Sequence, residues 1–280
     1  WYRTQRSTGF INAVLRKVVG NREAFDSAPA LSVWPEWLQT MVKDKLGVPA
    51  AVSLAEAQTI QPELYLTPKS GDAAALAAQV SGEVVAGHSV KVDTQAIETL
   101  AGFEEGDWWV QDVAAALPAR LLGAKEGETI LDICAAPGGK TMQLAATGAN
   151  VTAIDRSKPR LKRLKQNLWR TGFHGQVESV LTDATSWTPA EPVDRILLDA
   201  PCSALGTMRR HPEGAWIKSE EDALRFPNIQ ERLLRSALKM LKPGGSLVYC
   251  VCSPLPHEGV ELVERVLNEG LGKRSAIQSD

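Results

Sequence analysis

The residues best equipped for chemistry are four cysteines, Cys134, Cys202, Cys250 and Cys252, together with aspartates that close apolar runs of the chain. Asp199-Ala200-Pro201-Cys202-Ser203 follows one such run, and Tyr249-Cys250-Val251-Cys252-Ser253-Pro254 ends another. If the two runs are adjacent parallel strands, their carboxyl ends bring Cys202 and Cys252 over one crevice. Paired thiols there suit one particular reaction. C5 of a pyrimidine is a poor nucleophile, but thiolate addition at C6 makes it an enamine-like carbon that takes a methyl group from a sulfonium donor, after which the thiol must leave. The step also needs an acid or hydrogen-bond partner at N3 and a base for the C5 proton, and Asp199 is placed for the first task. Other uses of the cysteines fit less well. One C-x-C and no C-x-x-C argue against a metal site, and no secretory context favours structural disulfides. Cys250 reads as packing and Cys134 as small-residue lining near a cofactor.

The second chemical feature is Ile130-Leu131-Asp132-Ile133-Cys134-Ala135-Ala136-Pro137-Gly138-Gly139-Lys140-Thr141, a strand running through a small-residue turn into a helix. Gly138 and Gly139 let a ligand approach the main chain, and the following helix offers free N–H groups. Gly139-Lys140-Thr141 echoes the end of a P-loop, with Arg195 to Asp199 as a candidate magnesium-holding strand, but Cys134 stands where that template needs glycine. A nucleoside cofactor is the better reading. Asp155 ends the next strand about 20 residues after the turn, where doubly wound folds bind ribose hydroxyls, although Asp is also a favoured helix cap. Asp183 and Asp199 end the third and fourth strands, so three acids converge on one crevice.

These side chains require a parallel sheet to position them. From about residue 115 the chain shows near-continuous apolar runs, Thr129 to Ile133, Asn150 to Ile154, Val177 to Leu181, Arg195 to Leu198 and Ser246 to Val251, separated by helical patterns. Such runs suit strands buried on both faces. Before them, 48–112 mixes short strand-like runs (Leu64 to Leu66, Val84 to Val85, Val90 to Val92, Trp108 to Val110) with Ala-rich helical stretches, an α+β texture. Residues 1–22 carry Arg3, Arg6, Arg16, Lys17 and Arg22 without an acid, and Phe10, Ile11, Val14, Leu15 and Val18 recur at helical spacing. This divides the chain into 1–22, the end of a helical unit; 23–114, α+β; and 115–280, α/β. The 280 residues are 44% hydrophobic and 23% charged, which excludes disordered and fibrous classes. No run suggests a membrane span or signal peptide, so a cytoplasmic chain, truncated at its start, is expected.

The motifs Leu131 to Thr141, Leu198-Asp199-Ala200-Pro201-Cys202-Ser203, Arg209-Arg210-His211-Pro212 and Cys252-Ser253 together resemble the NOP/Sun family of RNA cytosine-C5 methyltransferases. Phe10-Ile11-Asn12-Ala13-Val14-Leu15-Arg16 is similar to the end of the NusB-like domain of its bacterial Sun/Fmu (RsmB) branch, and Gly106-Asp107-Trp108-Trp109-Val110-Gln111-Asp112 to the segment before that branch's catalytic domain. The resemblance implies a Rossmann-like class I methyltransferase domain after a smaller α+β RNA-binding domain and a helical NusB-like remnant. It implies S-adenosylmethionine as methyl donor, S-adenosylhomocysteine as product, and 16S ribosomal RNA as substrate. Cys252 would be the nucleophile, whereas DNA cytosine-C5 methyltransferases would nominate the Pro-Cys thiol, here Cys202. By the same likeness Cys202 assists product release, Asp199 contacts the cytosine, and Cys134, Ala135, Ala136, Pro137, Gly138, Gly139, Lys140, Asp155, Asp183 and Asp199 hold the cofactor. The chain stops at Asp280, before the closing hairpin such a sheet is expected to have.

The net charge of −2 excludes RNA binding by bulk charge but hides a local field. Residues 156–170 hold seven basic residues and no acid, with Leu161, Leu164 and Leu168 as the inward stripe. Lys162 and Arg163 on this face, and Arg209, Arg210 and His211 near Cys202, are the candidate RNA contacts. Trp108, Trp109 and Trp216 are either core residues or stacking platforms for bases. His88, His174 and His257 receive no role. The expected protein is a monomeric, metal-free methyltransferase that engages no membrane. Its alternatives are a P-loop-like NTPase and a non-catalytic NusB-type RNA-binding factor.

Overall fold

A computed structural model describes residues 7–94 and 96–276; Arg3 and Arg6 of the N-terminal basic stretch lie outside them. The chain divides into two compact units, 1–60 and 61–280. The first is helical: α1 (Thr8–Gly20), α2 (Arg22–Asp26), α3 (Glu36–Leu46) and α4 (Val48–Thr59). Trp34, Leu38, Met41 and Val42 form its interior with Ala51 and Ala55, small residues that let α3 and α4 approach. The stripe Phe10, Ile11, Val14, Leu15 and Val18 does lie on a helix, and all five side chains are exposed.

The second unit contains two sheets. The first comprises β1 (Leu64–Pro68), β2 (Glu83–Val85), β3 (Ser89–Val92) and β4 (Trp108–Val110), antiparallel in the order β2-β3-β1-β4, with α5 (Ala73–Val80) packed on it. The second is fully parallel: β5 (Thr129–Ile133), β6 (Asn150–Asp155), β7 (Val177–Leu181), β8 (Val193–Asp199) and β9 (Leu241–Cys250), in the order β7-β6-β5-β8-β9. Connections run outward from β5 in both directions, so the strand order reverses beside it, the place where doubly wound sheets bind ligands. The transition between the two strand types lies between β4 and β5, and α6 (Val113–Leu122) already packs in the parallel sheet's helical layer.

Strand alternation explains why apolar runs were needed. Ile130, Val151, Ala153 and Leu197 face a layer built from α6, α7 (Gly139–Ala146) and α8 (Lys158–Arg170). Leu131, Ile133, Ile154, Ile196 and Leu198 face α10 (Glu220–Lys239) and α11 (Val260–Leu267), after the short helix α9 (Gly214–Ile217). Layers on both faces leave the carboxyl strand ends as the open rim. One boundary differs from the sequence reading. β9 begins at Leu241, because Val193 pairs with Leu241 before the ladder resumes at Arg195 and Ser246, and Lys242 to Gly245 bulge out between the pairs.

Candidate active site

The strand ends carry the predicted residues to one rim. Asp199 closes β8 and registers with Cys250 at the end of β9. The chain then turns at both places, so Cys202 and Cys252 meet with their sulfur atoms 3.2 Å apart. Gly206 makes the approach possible. Its N–H donates to the Cys252 carbonyl at 2.9 Å, and a Cβ there would stand 2.8 Å from that oxygen. Cys202 is buried, whereas Cys252 is exposed.

The two thiols are electrically unequal. The hydrogen bond from Cys202, against the opposing effects of burial and Asp199, lowers the pKa of Cys252. Cys202 is pushed strongly up by that same bond, by burial, and by the charges of Cys252 and Glu258. The accessible thiol is therefore the one that ionises, the form in which sulfur is nucleophilic. Cys250 packs against the core as expected, yet its thiol also donates to Asp199 Oδ1 at 3.6 Å. Burial, reinforced by Asp199, raises its pKa. The other Asp199 oxygen accepts from Lys140 Nζ at 2.8 Å. Burial opposes the charge of Lys140, but Asp199 outweighs it and the ammonium is held protonated.

The predicted cofactor residues gather beside this cluster. Cys134, Asp155 and Asp183 line an open cleft with Ile133, Ile154 and Thr182. Burial pushes the Cys134 thiol up to about 12, consistent with an inert lining residue. Asp155 accepts from Ala136 N–H at 3.2 Å and Ser157 N–H at 2.8 Å, so it both fixes the glycine turn and shapes the turn that leads into α8. Asp183 Oδ1 accepts from the Thr185 N–H and hydroxyl, which lower its pKa. Gly138 has φ +106°, and a Cβ there would meet Leu164 Cγ at 3.2 Å, so the turn demands glycine on two counts. The apolar walls with acids at the rim fit a nucleoside with a polar tail.

Sequence reading missed several participants. Ile229, Arg232 and Leu233 of α10 also line the cleft, although α10 is amphipathic and its apolar stripe was available as a signal. Glu258 is fully buried and carries hydrogen bonds to residues beside both thiols. Nothing in Pro256-His257-Glu258 distinguishes that acid from a solvated one.

The candidate RNA contacts fall into two groups. Lys162 and Arg163 are exposed on α8 over the buried Leu161, Leu164 and Leu168. Two other basic residues of that stretch are tied to main-chain carbonyls: Arg160, still exposed, to that of Ala136, and the half-buried Arg170 to those of Phe103 and Trp108 at 2.7 and 2.9 Å. Arg209 donates to the Gln61 carbonyl at 2.9 Å, Arg210 reaches Glu63 O and Asp112 Oδ2 at 3.1 Å, and His211 lies 3.3 Å from Glu213. Trp108 and Trp109 are buried, with both indole N–H groups bonded internally, which removes them as stacking platforms; Trp216 is exposed. Among the described residues no group of three or more His, Cys, Asp or Glu could hold a metal ion, and no helix is long and apolar enough to cross a membrane.

A glycine turn at the centre of a parallel β7-β6-β5-β8-β9 sheet, with acids on successive strand ends, defines a Rossmann-like methyltransferase fold. Residues 119–277 match the family model described as 16S rRNA methyltransferase RsmB/F, and the chain belongs to that family. It is 38% identical over 275 residues to ribosomal RNA small subunit methyltransferase B of Vibrio cholerae serotype O1, covering 90% of this chain and 62% of that protein. The chain thus spans about three fifths of that curated relative. Among solved structures, a methyltransferase homologue from Pyrococcus horikoshii superposes with a TM-score of 0.71 at 25% identity, covering 86% of this chain and 83% of the other. NSun6 from the same organism, crystallised with SFG, gives 0.76 at 20% identity over 86% and 88% of the two chains, a likeness of fold. The P-loop alternative is not favoured: Lys140 closes on Asp199, where a phosphate-binding lysine would need to be free.

Proposed function

We propose that the protein is a cytoplasmic, monomeric methyltransferase that uses S-adenosylmethionine to methylate C5 of a cytosine in 16S ribosomal RNA. The observation that carries the reading is the contact of Cys202 and Cys252 at 3.2 Å beside Asp199, at the rim of the candidate cofactor cleft. The turn Cys134 to Lys140, with Asp155 and Asp183, would hold the cofactor, which supplies an electrophilic methyl group when bound. The residues 23–114 and 115–280 are assigned to RNA binding and to catalysis.

Cys252 adds through its thiolate to C6 of the cytosine, because it is exposed and its ionised form is favoured. Asp199 accepts from the exocyclic N4 amino group of the cytosine, beside N3, and the Lys140 ammonium held on that carboxylate offsets the negative charge that accumulates on the ring on addition. Transfer of the methyl group to C5 leaves a proton on that carbon. Once Cys252 is bonded to C6, its thiolate charge, one of the causes that hold Cys202 protonated, is gone; Cys202 gives its own proton to solvent, and its thiolate takes the C5 proton as the C6–S bond breaks and Cys252 leaves as a thiolate. The target base must be unstacked to reach thiols set into a rim, so the substrate is a loop or a flipped nucleotide. Lys162, Arg163, Arg209, Arg210 and His211 are assigned to the RNA backbone around it.

Incubation of 16S RNA fragments with the protein and methyl donor, read by bisulfite sequencing, tests this. One cytosine should become protected from conversion. Cys252→Ala should abolish the signal, and Cys202→Ala should accumulate a covalent protein–RNA adduct on denaturing gels. Silence at every cytosine supports the non-catalytic RNA-binding alternative. Adduct loss in Cys202→Ala alone would exchange the two thiol roles.

A further inference from the structure

Glu258 has no exposed surface and forms no ion pair within 4.0 Å among the described residues, yet it sits between the two segments that carry the thiols. Ser203, next to Cys202, donates its N–H to Oε2 at 2.8 Å and its hydroxyl to Oε1 at 2.5 Å. Ser253, next to Cys252, donates its hydroxyl to Oε1 at 2.6 Å. Gln230 of α10 donates one amide group to Oε2 and to the Pro201 carbonyl, both at 2.9 Å, which fixes the start of the Cys202 loop to the same carboxylate. The Glu258 carbonyl accepts from Tyr249 O–H at 2.6 Å, tying it to β9. A buried carboxylate is costly unless donors surround it, and here donors from both cysteine loops do so. We propose that Glu258 is a positioning residue that clamps the Cys202 and Cys252 loops together and so sets the thiol–thiol contact on which the methyl transfer of the preceding section rests.

The clamp has a chemical consequence. The hydrogen bond from Cys202 is the first cause of the lowered pKa of Cys252, so it depends on the loops staying in register. Two carboxylates flank the pair, Glu258 on the Cys202 side and Asp199 on the Cys252 side. The other groups near them are Lys140 on Asp199, Lys218 donating to the Ser203 carbonyl, Tyr249 and Cys250 from β9, and the Thr207 hydroxyl toward Cys252. The loops also meet directly, through Ser203 Oγ donating to Ser253 Oγ at 2.9 Å and Gly206 N–H donating to the Cys252 carbonyl at 2.9 Å, and Glu258 adds a shared buried acceptor for the residues next to both thiols.

Iodoacetamide labelling of the full chain across pH, resolved by tandem mass spectrometry that separates Cys250 from Cys252, tests the proposal without RNA or methyl donor. The wild type should label Cys252 first, with a midpoint below that of an ordinary thiol. In Glu258→Ala the midpoint should rise by about one pH unit, so labelling of Cys252 near neutrality falls about tenfold. Glu258→Gln should restore most of the wild-type profile, because its amide carbonyl still accepts from Ser203 and Gln230 while the serine hydroxyls can turn to accept from its amine. If Glu258→Ala does not fold, Ser253→Ala decides, since it cuts the clamp on the Cys252 side only and should move the midpoint in the same direction. A cooperatively folded Glu258→Ala, or failing that Ser253→Ala, with a profile superimposed on wild type overturns the proposal. If the labelling shifts as expected but no RNA is methylated by the wild type, the clamp stands and the methyltransferase reading falls.

Discussion

Asp132 lies one residue inside the end of β5, fully buried, with Thr141 O–H donating to Oδ2 at 2.6 Å and no partner on Oδ1. Burial pushes its pKa up from 3.8 to about 7, against the opposing effects of Thr141 and Lys140. Between those values the folded state binds a proton that the unfolded chain has released, so stability falls as pH rises from about 4 to about 7. The cost above that window is on the order of a few kcal/mol. Asp132→Asn removes the titration. Its melting temperature relative to wild type should therefore climb by several degrees between pH 5 and pH 8, as about 1 kcal/mol moves a chain of this size by a few degrees. A gap between the two melting curves that stays constant with pH would refute the assignment. Sequence and structure part company at this scale. Cys202, Cys252 and Asp199 were legible because each ends an apolar run, and strand ends of a parallel sheet have one possible destination. Glu258 was not, since its burial depends on Ser203 and Gln230, 55 and 28 residues away, and no local pattern encodes that meeting.

The helix α8 shows how an element divides its charges. Leu161, Leu164 and Leu168 fix which face is buried, and that determines which basic residues are left for solvent. Arg170 is no longer among them: its guanidinium sits 4.7 Å from the Phe103 ring centre and donates to two carbonyls, joining α8 to the segment before β4. The basic stretch is thus part structural and part electrostatic, and the two parts should separate experimentally. Lys162→Glu with Arg163→Glu should leave thermal stability near wild type while weakening RNA affinity and flattening its salt dependence by about one to two units of slope. Arg170→Ala should instead lower the melting temperature, by the loss of about 2 kcal/mol from charge-assisted bonds, and leave the salt slope unchanged. Fluorescence anisotropy over a salt series, with differential scanning calorimetry, reads both; equal salt slopes in all three proteins would mean that α8 does not meet RNA. The five parallel strands were legible to within a few residues because burial on both faces forces continuous apolar runs. The start of β9 was not, as Lys242-Pro243-Gly244-Gly245 carries turn chemistry and is used as a bulge inside the strand.

At the scale of the molecule, a net charge of −2 averages the seven basic residues of 156–170 with an acidic remainder, and the chain joins a helical unit to one that holds both sheets. The cleft of Cys134, Asp155 and Asp183 belongs wholly to residues 61–280, so ligand binding should act on that unit alone. A ligand that binds only the folded state adds about 2.7 kcal/mol at a concentration one hundred times its dissociation constant. S-adenosylhomocysteine should therefore raise the melting transition of residues 61–280 by several degrees, while magnesium-ATP should leave it unmoved. Hydrogen exchange locates the effect. Protection should grow at the carboxyl ends of β5 and β6, just after β7 at Thr182 and Asp183, and in the turn from Cys134 to Gly138, because those backbone groups line the cleft or are braced through Asp155. Residues 7–60, which contribute nothing to the cleft, should exchange at the same rate with and without ligand. Protection by magnesium-ATP at the glycine turn, with none from S-adenosylhomocysteine, would put the P-loop alternative ahead of the methyltransferase reading. Uniform protection of both units would instead mean that they unfold as one cooperative body.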